Sequence, residues 1–233
     1  MDSERVFACG VTGSGKTEFL ARRFLPRAPR LLIVDQTGEW ADREKYAPYC
    51  FGYEDTVSVL GEHAGKDRWR IICSVTPAEV SQLATRMLVP SPRPRDGFAA
   101  SVGGMAVLLD EVDILTPNGR APAELTHLWR RGRHVGLSVY AATQRPANVS
   151  KEVTAQCRWI CVLRQHEVRD IKYLSDLIGA DVIGHVMPVV NRVPYSVLLW
   201  DSQLRTGYIL DKNGHVRGTA RPAGWKPQQD LFS

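Results

Sequence analysis

The sequence predicts an α/β protein built on a mostly parallel, doubly wound sheet. Short apolar runs alternate with segments of helical period along most of the chain. Two of those runs, Leu31-Leu32-Ile33-Val34 and Met105-Ala106-Val107-Leu108-Leu109, are unbroken by polar residues, as in strands covered on both faces. Residues suited to ligand chemistry follow directly on strand ends, the placement expected in an open parallel sheet.

Taken in order, residues 5–9 form the first strand and run into a glycine-rich loop. A helix follows over residues 16–25, with Phe19, Leu20 and Phe24 on one face, and Pro26 and Pro29 end it. Residues 30–35 and 68–74 are the next strands. Thr76-Pro77-Ala78-Glu79 is a helix start: Thr76 caps, Pro77 takes the first helical position and Glu79 completes a capping box. Val80, Leu83, Ala84, Met87 and Leu88 then make an apolar stripe at helical spacing. Residues 90–104 are a loop rich in Pro, Arg and Gly. Residues 105–109, 137–142 and 158–163 are strands, and residues 121–131 and 167–178 are helices, the last ended by Gly179. The C-terminal part is a small β appendage, residues 195–200 and 207–211, with Asn213-Gly214 as a hairpin turn. One domain over residues 1–218 is expected, with 219–233 as a loose polar tail.

The 233 residues suffice for one α/β core, and the net charge of +5 favours a polyanionic partner without demonstrating one. Arginine dominates the basic residues, 23 against 7 lysines; this suits phosphate contacts and equally reflects a GC-rich coding sequence. The five cysteines show no C-x-x-C pair and read as reduced core residues of a cytosolic protein. Met1-Asp2-Ser3-Glu4-Arg5 lacks the form of a signal peptide, and no apolar run is long enough to span a bilayer. The six histidines show no ligand spacing.

Gly10-Val11-Thr12-Gly13-Ser14-Gly15-Lys16-Thr17 is a Walker A pattern between a strand and a helix. Glycines let the backbone wrap phosphates, and the helix N-terminus adds partial positive charge. Residues Gly10 through Thr17, with Glu18, are the expected nucleotide contacts for ATP. Lys16 is expected to reach the β- and γ-phosphates and the Thr17 hydroxyl to ligate Mg2+. The strand ending in Asp110-Glu111 has Walker B form: Asp110 would hold the metal and Glu111 would act as general base toward water. The strand ending in Thr143-Gln144 places Gln144 where it would sense the γ-phosphate and orient the water.

Three stretches together resemble the FtsK/HerA-type translocases. They are Arg133-x-x-Gly136 followed by an apolar strand and Ala142-Thr143-Gln144-Arg145-Pro146; the interval from Asp110-Glu111 to Arg133; and the strand ending in Asp35, then Gly38-Glu39-Trp40. The resemblance covers roughly residues 5–178. It implies a RecA-like P-loop NTPase core of the additional-strand, catalytic-Glu type, in a homohexameric ring that moves double-stranded DNA. Arg133 resembles the arginine finger given to a neighbouring subunit's ATP, with Arg130 and Arg131 as alternatives; all three also suit a solvated helix C-terminus. Asp35 and Glu39 would support the site or a subunit contact.

With the Walker A motif starting at residue 10, the expectation is a bare motor, similar to the genome-packaging ATPases of membrane-containing, double-jelly-roll phages. It would act in the host cytoplasm or at the packaging vertex, with a portal or membrane vertex protein as partner. Arg93, Arg95, Arg120, Arg145 and Lys151 are candidate DNA contacts, or else residues of ordinary solvated loops. Other readings are a DNA-transfer or filamentous-phage export motor working with a membrane partner, a P-loop small-molecule kinase, and a non-catalytic nucleotide-dependent scaffold.

Overall fold

The computed structural model describes residues 3–88, 97–116 and 119–223. Ten strands form one sheet: β1 (Arg5–Cys9), β2 (Arg30–Val34), β3 (Tyr49–Phe51), β4 (Trp69–Ser74), β5 (Met105–Leu109), β6 (Leu137–Thr143), β7 (Trp159–Val162), β8 (Val197–Asp201), β9 (Thr206–Leu210) and β10 (Val216–Ala220). Their spatial order is β10-β9-β8-β7-β1-β6-β5-β2-β4-β3. The strands from β7 across to β3 pair in parallel, and β8, β9 and β10 add on antiparallel. The C-terminal strands, expected as a small β appendage of the one domain, continue the main sheet. Residues 219 and 220 complete β10, so backbone pairing carries past the expected start of the tail.

Alternate residues of each central strand enter opposite cores, as the period-two geometry of a strand requires. Val6, Ala8, Leu31, Ile33, Ala106, Leu108 and Tyr140 meet α1 (Lys16–Arg23), the 3-10 turn Leu25–Arg27 and Trp40 of α2 (Glu39–Arg43). Phe7, Cys9, Leu32, Val34, Val107, Leu109, Val139 and Ala141 enter the other core. There they pack with α3 (Gly52–His63), α4 (Pro77–Leu88), α5 (Phe98–Ser101), α6 (Ala123–Arg131), α7 (Lys151–Thr154), α8 (Val168–Ile178) and α9 (Ala180–Arg192). All five cysteines are buried free thiols, and burial pushes Cys9, Cys73 and Cys157 up to about 12.

Capping at Thr76 follows the sequence expectation: Thr76 N and Oγ1 each donate to Glu79 Oε2 at 2.8 Å, and Glu79 N donates back to Thr76 Oγ1 at 3.3 Å. Glu79 Oε1 also accepts from Tyr53 N, tying α4 to the start of α3. Helices α3 and α9 were not expected. The first opens on Gly52 at φ 76° and carries Gly61 inside; the second carries Pro188 and a β-branched run. Both contradict helical propensity and form by burying apolar faces. Residues 98–101, expected as loop, form α5.

Register between β5 and β6 is pinned where the two strands begin. Gly104 (φ 100°) and Gly136 (φ 69°) face each other there, and a Cβ on Gly104 would stand 3.0 Å from the Gly136 carbonyl oxygen. Met105 N donates to that same oxygen at 3.2 Å. Gly104→Ala is expected to destabilise the fold by about 1–3 kcal/mol, through left-handed strain and backbone collision. Urea unfolding checks it: an unchanged midpoint would show that the approach can relax.

Candidate active site

The glycine loop leaves the end of β1 and is stitched to both neighbouring strands. Gly10 N donates to Thr143 O at 3.2 Å, and Val11 N donates to Arg164 O at 2.9 Å. Gly13 (φ 70°) and Gly15 (φ 95°) take left-handed conformations, and a Cβ on Gly10 would meet Ser14 Oγ at 2.6 Å and Leu163 Cβ at 2.7 Å. The loop is thus closed around its own backbone, with Thr12 and Gly13 exposed at its tip. Lys16 is buried and donates to Gly10 O at 2.8 Å. Ser14 Oγ is buried without a hydrogen-bond partner among the described residues. Thr17 lies half-buried in the first turn of α1, and Glu18 beside it is ion-paired with Arg22 and, at 2.7 Å, with Arg43.

Strand β6 lies between β1 and β5, so the ends of all three meet at this loop. Asp110 and Glu111 follow β5, and Gln144 follows β6. Gln144 holds Glu111 twice: its backbone N donates to Oε2 at 3.1 Å and its Nε2 donates to Oε1 at 2.8 Å. The Gln144 Oε1 in turn accepts from Thr12 Oγ1 at 2.6 Å. A hydrogen-bonded chain therefore runs from the loop tip through Gln144 to Glu111. Glu111 sits at φ 49°, a left-handed conformation that costs about 1 kcal/mol or more for a non-glycine residue and that the Gln144 contacts offset. Gln144 is itself fixed through its carbonyl, which accepts from the buried Gln165.

Asp110 is 4% exposed and accepts from the Trp40 indole Nε1 at 3.1 Å and from Glu111 N at 3.2 Å. Burial first, then the charges of Glu111, Asp35 and Glu39, push its carboxyl up to about 7, against an opposing pull from Lys16. Asp35, also buried, has a different solution. Its two oxygens accept from the backbone N–H groups of Thr37, Gly38, Trp40 and Ala41 at 2.8–3.3 Å. It thereby shapes the turn that aims Trp40 at Asp110, while Glu39 stays exposed. The expected supporting role of Asp35 is thus physically traceable, and Trp40 is the link that sequence reasoning missed.

The arginines divide. Arg145 was expected as a DNA contact, yet its Nε approaches Oδ2 of the fully buried Asp170 at 3.1 Å, a charge contact without hydrogen-bond geometry, and Glu167 lies at 3.9 Å. Asp170 also accepts from Ala147 N at 3.0 Å. Arg145 thus ties the loop after β6 to α8, while its side chain stays 43% exposed. Arg120 and Lys151 are exposed and line one hollow of about 580 Å³ between the loops after β5 and β6. Arg93 and Arg95 lie outside the described residues. Arg130 pairs with Glu152 at 3.7 Å, and Arg131 is exposed. Arg133 lies in the 3-10 turn Gly132–Val135 before β6, touching the His134 ring at 3.4 Å. At ~3.3 Å per residue along β6, that is roughly 20 Å from its own Gln144. Asp113 was also missed: it accepts from Thr143 Oγ1 at 2.7 Å and joins the two loops.

The raised carboxyl of Asp110 has a consequence for stability. A carboxyl raised in the folded state contributes most below its unfolded value, near pH 4, and loses that contribution as pH rises through about 7. Above pH 7 the nucleotide-free fold carries an uncompensated buried charge. Asp110→Asn is therefore expected to raise Tm at pH 8 by roughly 3–8 °C in metal-free buffer, with the gain fading toward pH 5. Calorimetry checks this, and an equal or lower Tm at pH 8 would contradict the account.

No family model matches the chain. Protein P9 of Pseudoalteromonas phage PM2 is 27% identical over 152 residues, 64% of this chain and 63% of P9. The match thus spans under two thirds of that relative. The genome packaging NTPase B204 from Sulfolobus turreted icosahedral virus 2, solved with ATP-gammaS, superposes with a TM-score of 0.69 at 17% identity, covering 90% of this chain and 97% of that one. B204, the DNA-packaging ATPase from Sulfolobus turreted icosahedral virus, also gives 0.69, at 15% identity, covering 90% and 98%. The chain has the mixed α/β P-loop NTPase fold of these proteins, as its resemblance to the FtsK/HerA-type ATPases implied.

Proposed function

We propose that the chain is an ATP-hydrolysing motor that moves double-stranded DNA, and that its task is to package a viral genome into a procapsid as a homo-oligomeric, hexameric ring. The observation that carries the hydrolytic half is the Thr12–Gln144–Glu111 chain, which ties the phosphate loop to a carboxylate at the end of a nearby strand. The packaging half is supported by the likeness to the two B204 proteins.

The residues fit a triphosphate with Mg2+. Ser14 Oγ is a buried donor that an anion would satisfy, and Lys16 is held within reach of the loop by a single carbonyl. Asp110 carries raised basicity among three other carboxylates, which a divalent cation offsets, and with Thr17 it would hold Mg2+. The metal, when bound, would neutralise phosphate charge. The backbone of residues 10–17 would bind the phosphates, and Lys16 would exchange Gly10 O for a phosphate oxygen. Glu111 would take the proton from the attacking water, and the Gln144 amide would orient that water. Each Glu111 oxygen accepts one bond from Gln144 and keeps a second lone pair, so these contacts orient the carboxylate while it remains able to take a proton.

Arg133 would stabilise charge at a neighbouring subunit's ATP, because it stands at the wrong end of β6 to reach its own. Arg120 and Lys151 would track DNA phosphates, a sequence-independent and salt-dependent contact. No helix among the described residues is long and apolar enough to cross a membrane. The host cytoplasm or a packaging vertex, with a portal or vertex protein as partner, is the proposed place of action.

Steady-state ATP turnover, measured with and without duplex DNA while the oligomer is sized in the same buffer, tests this reading. Duplex DNA is expected to raise turnover, and the rise to shrink with salt. A rate indifferent to DNA at every ionic strength would remove the translocase reading and leave an ATPase. Glu111→Gln is expected to bind ATP and to lose about 10²-fold or more in turnover. Lys16→Ala is expected to lose binding itself, read by equilibrium titration; retained turnover in either variant would exclude that residue from its role.

A further inference from the structure

We infer that Gln165 and Asn191 are positioning residues for ATP hydrolysis: they hold the end of β6 from the far side of the glycine loop and so aim the Gln144 amide. The inference rests on the proposed role of Gln144 toward the attacking water and adds what keeps that amide in place.

The sheet order sets up the contact. Strand β1 lies between β7 and β6, so the glycine loop leaves the sheet between the segments that follow those two strands. On the β7 side the ladder continues for two residues. Leu163 N donates to Cys9 O at 2.8 Å, and Arg164 O accepts from Val11 N at 2.9 Å. Gln165 comes next, fully buried, and its Nε2 reaches past β1 to donate to Gln144 O at 3.3 Å. Its own peptide groups are taken by Asn191 in the last turn of α9. Gln165 N donates to Asn191 Oδ1 at 3.0 Å, and Asn191 Nδ2 donates to Gln165 O at 2.8 Å. The Asn191 amide thus does for residue 165 what a strand partner does for the residues before it. Asn191 is fixed in turn, because α9 buries Val182, Ile183, Val186, Met187 and Val190. A chain of hydrogen bonds therefore runs from α9 through Gln165 and Gln144 to Glu111.

Stability does not account for Gln165. Its Nε2 must face the Gln144 carbonyl, which only accepts, so Oε1 is turned away. That oxygen is buried with no hydrogen-bond partner among the described residues. Burying an amide with one end unpaired works against the fold. What the amide provides is a fixed point on the peptide that follows Gln144. On the other side of that residue, Gln144 N donates to Glu111 Oε2, and its Nε2 donates to Oε1. Residue 144 is therefore held at both of its peptide groups, which leaves its side chain little freedom to swing away from the base. Neither Gln165 nor Asn191 belongs to the glycine loop, so the pair would orient water and base without adding to nucleotide affinity.

Steady-state ATP turnover and ATP-γ-S titration of single and double variants test this. Gln165→Met fills similar space without the donor. It is expected to lower kcat about tenfold and to leave the ATP-γ-S Kd within about twofold, since a misaimed group slows the chemical step more than it weakens binding. Asn191→Ala, at a less buried position, is expected to move kcat the same way by a smaller factor, and it reads the relay should Gln165→Met fail to fold. Because the pair acts through Gln144, Gln165→Met combined with Gln144→Ala is expected to lose less than the product of the two single losses. A merely structural role predicts losses that multiply, or ATP-γ-S affinity that falls along with turnover. Either outcome, or full turnover in both Gln165→Met and Asn191→Ala, would overturn the inference. Wild-type turnover in Gln144→Ala would instead overturn the water-orienting role, and the relay with it.

Discussion

Strand β6 is hydrogen-bonded to β1 on one side and to β5 on the other, and the site exists because its register with both is fixed. Cys9 pairs with Thr143, and Leu109 pairs with Ala141. The glycine loop, the acidic pair and Gln144 therefore leave the sheet at neighbouring levels, close enough for Thr12, Gln144 and Glu111 to form one hydrogen-bonded chain. A slip of one residue in β6 would turn its alternating side chains into the wrong cores and carry Gln144 away from Glu111. The Gly104–Gly136 approach fixes the opposite end of the same pair of strands. Local backbone strain at two glycines is thus coupled, through a rigid strand, to the geometry of the chemistry.

The buried carboxylates show how the fold divides stability from function. Asp35 is satisfied by four backbone N–H groups, which repay the burial of its two oxygens. Asp110, at a similar depth, receives one indole and one backbone N–H, beside Glu111. Burial and the neighbouring charges of Glu111, Asp35 and Glu39 raise its carboxyl all the same. The same contrast separates Arg145 from the other loop cations. Arg145 stands against the fully buried Asp170, whereas Arg120 and Lys151 line one exposed hollow.

What the sequence made legible was the part where chemistry demands particular residues at particular spacing. Gly10 to Thr17, Asp110-Glu111 and Thr143-Gln144 are readable because phosphate binding and strand-end acids tolerate few alternatives, and the central strands because unbroken apolar runs mark them. The capping box at Thr76 was readable for the same local reason. Helices α3 and α9 were not, since Gly52, Gly61 and Pro188 argue against helix and only packing overrides them. Nor were the contacts between distant segments, such as Trp40 with Asp110 or Arg145 with Asp170. Each joins residues far apart in the chain, and no periodicity reports which strand end they will share. The antiparallel C-terminal strands were visible as β structure, but their continuation of the main sheet depends on β8 pairing with β7, which turn chemistry alone does not specify.

The sheet also constrains how copies of the chain would cooperate. Its two ends differ: nucleotide-loop chemistry gathers where β1, β5 and β6 finish, and Arg133 stands where β6 begins, beside Arg5, whose guanidinium is lowered by burial and by the Arg133 charge. Among the described residues Arg133 has no carboxylate partner, and its nearest recorded contact is a histidine ring. An arginine so placed is a charge without an internal counterpart, roughly a strand length from its own phosphate loop. For it to meet a nucleotide, that nucleotide must be held by another copy, with the strand-start end of one subunit turned toward the strand-finish end of the next. Such a contact joins unlike surfaces, and repetition gives a ring where the rotation closes and an open helix where it does not. The polarity of a parallel sheet, set by the alternation of strand and helix in the sequence, is therefore what would make an assembly of this chain head-to-tail, with each site completed by its neighbour.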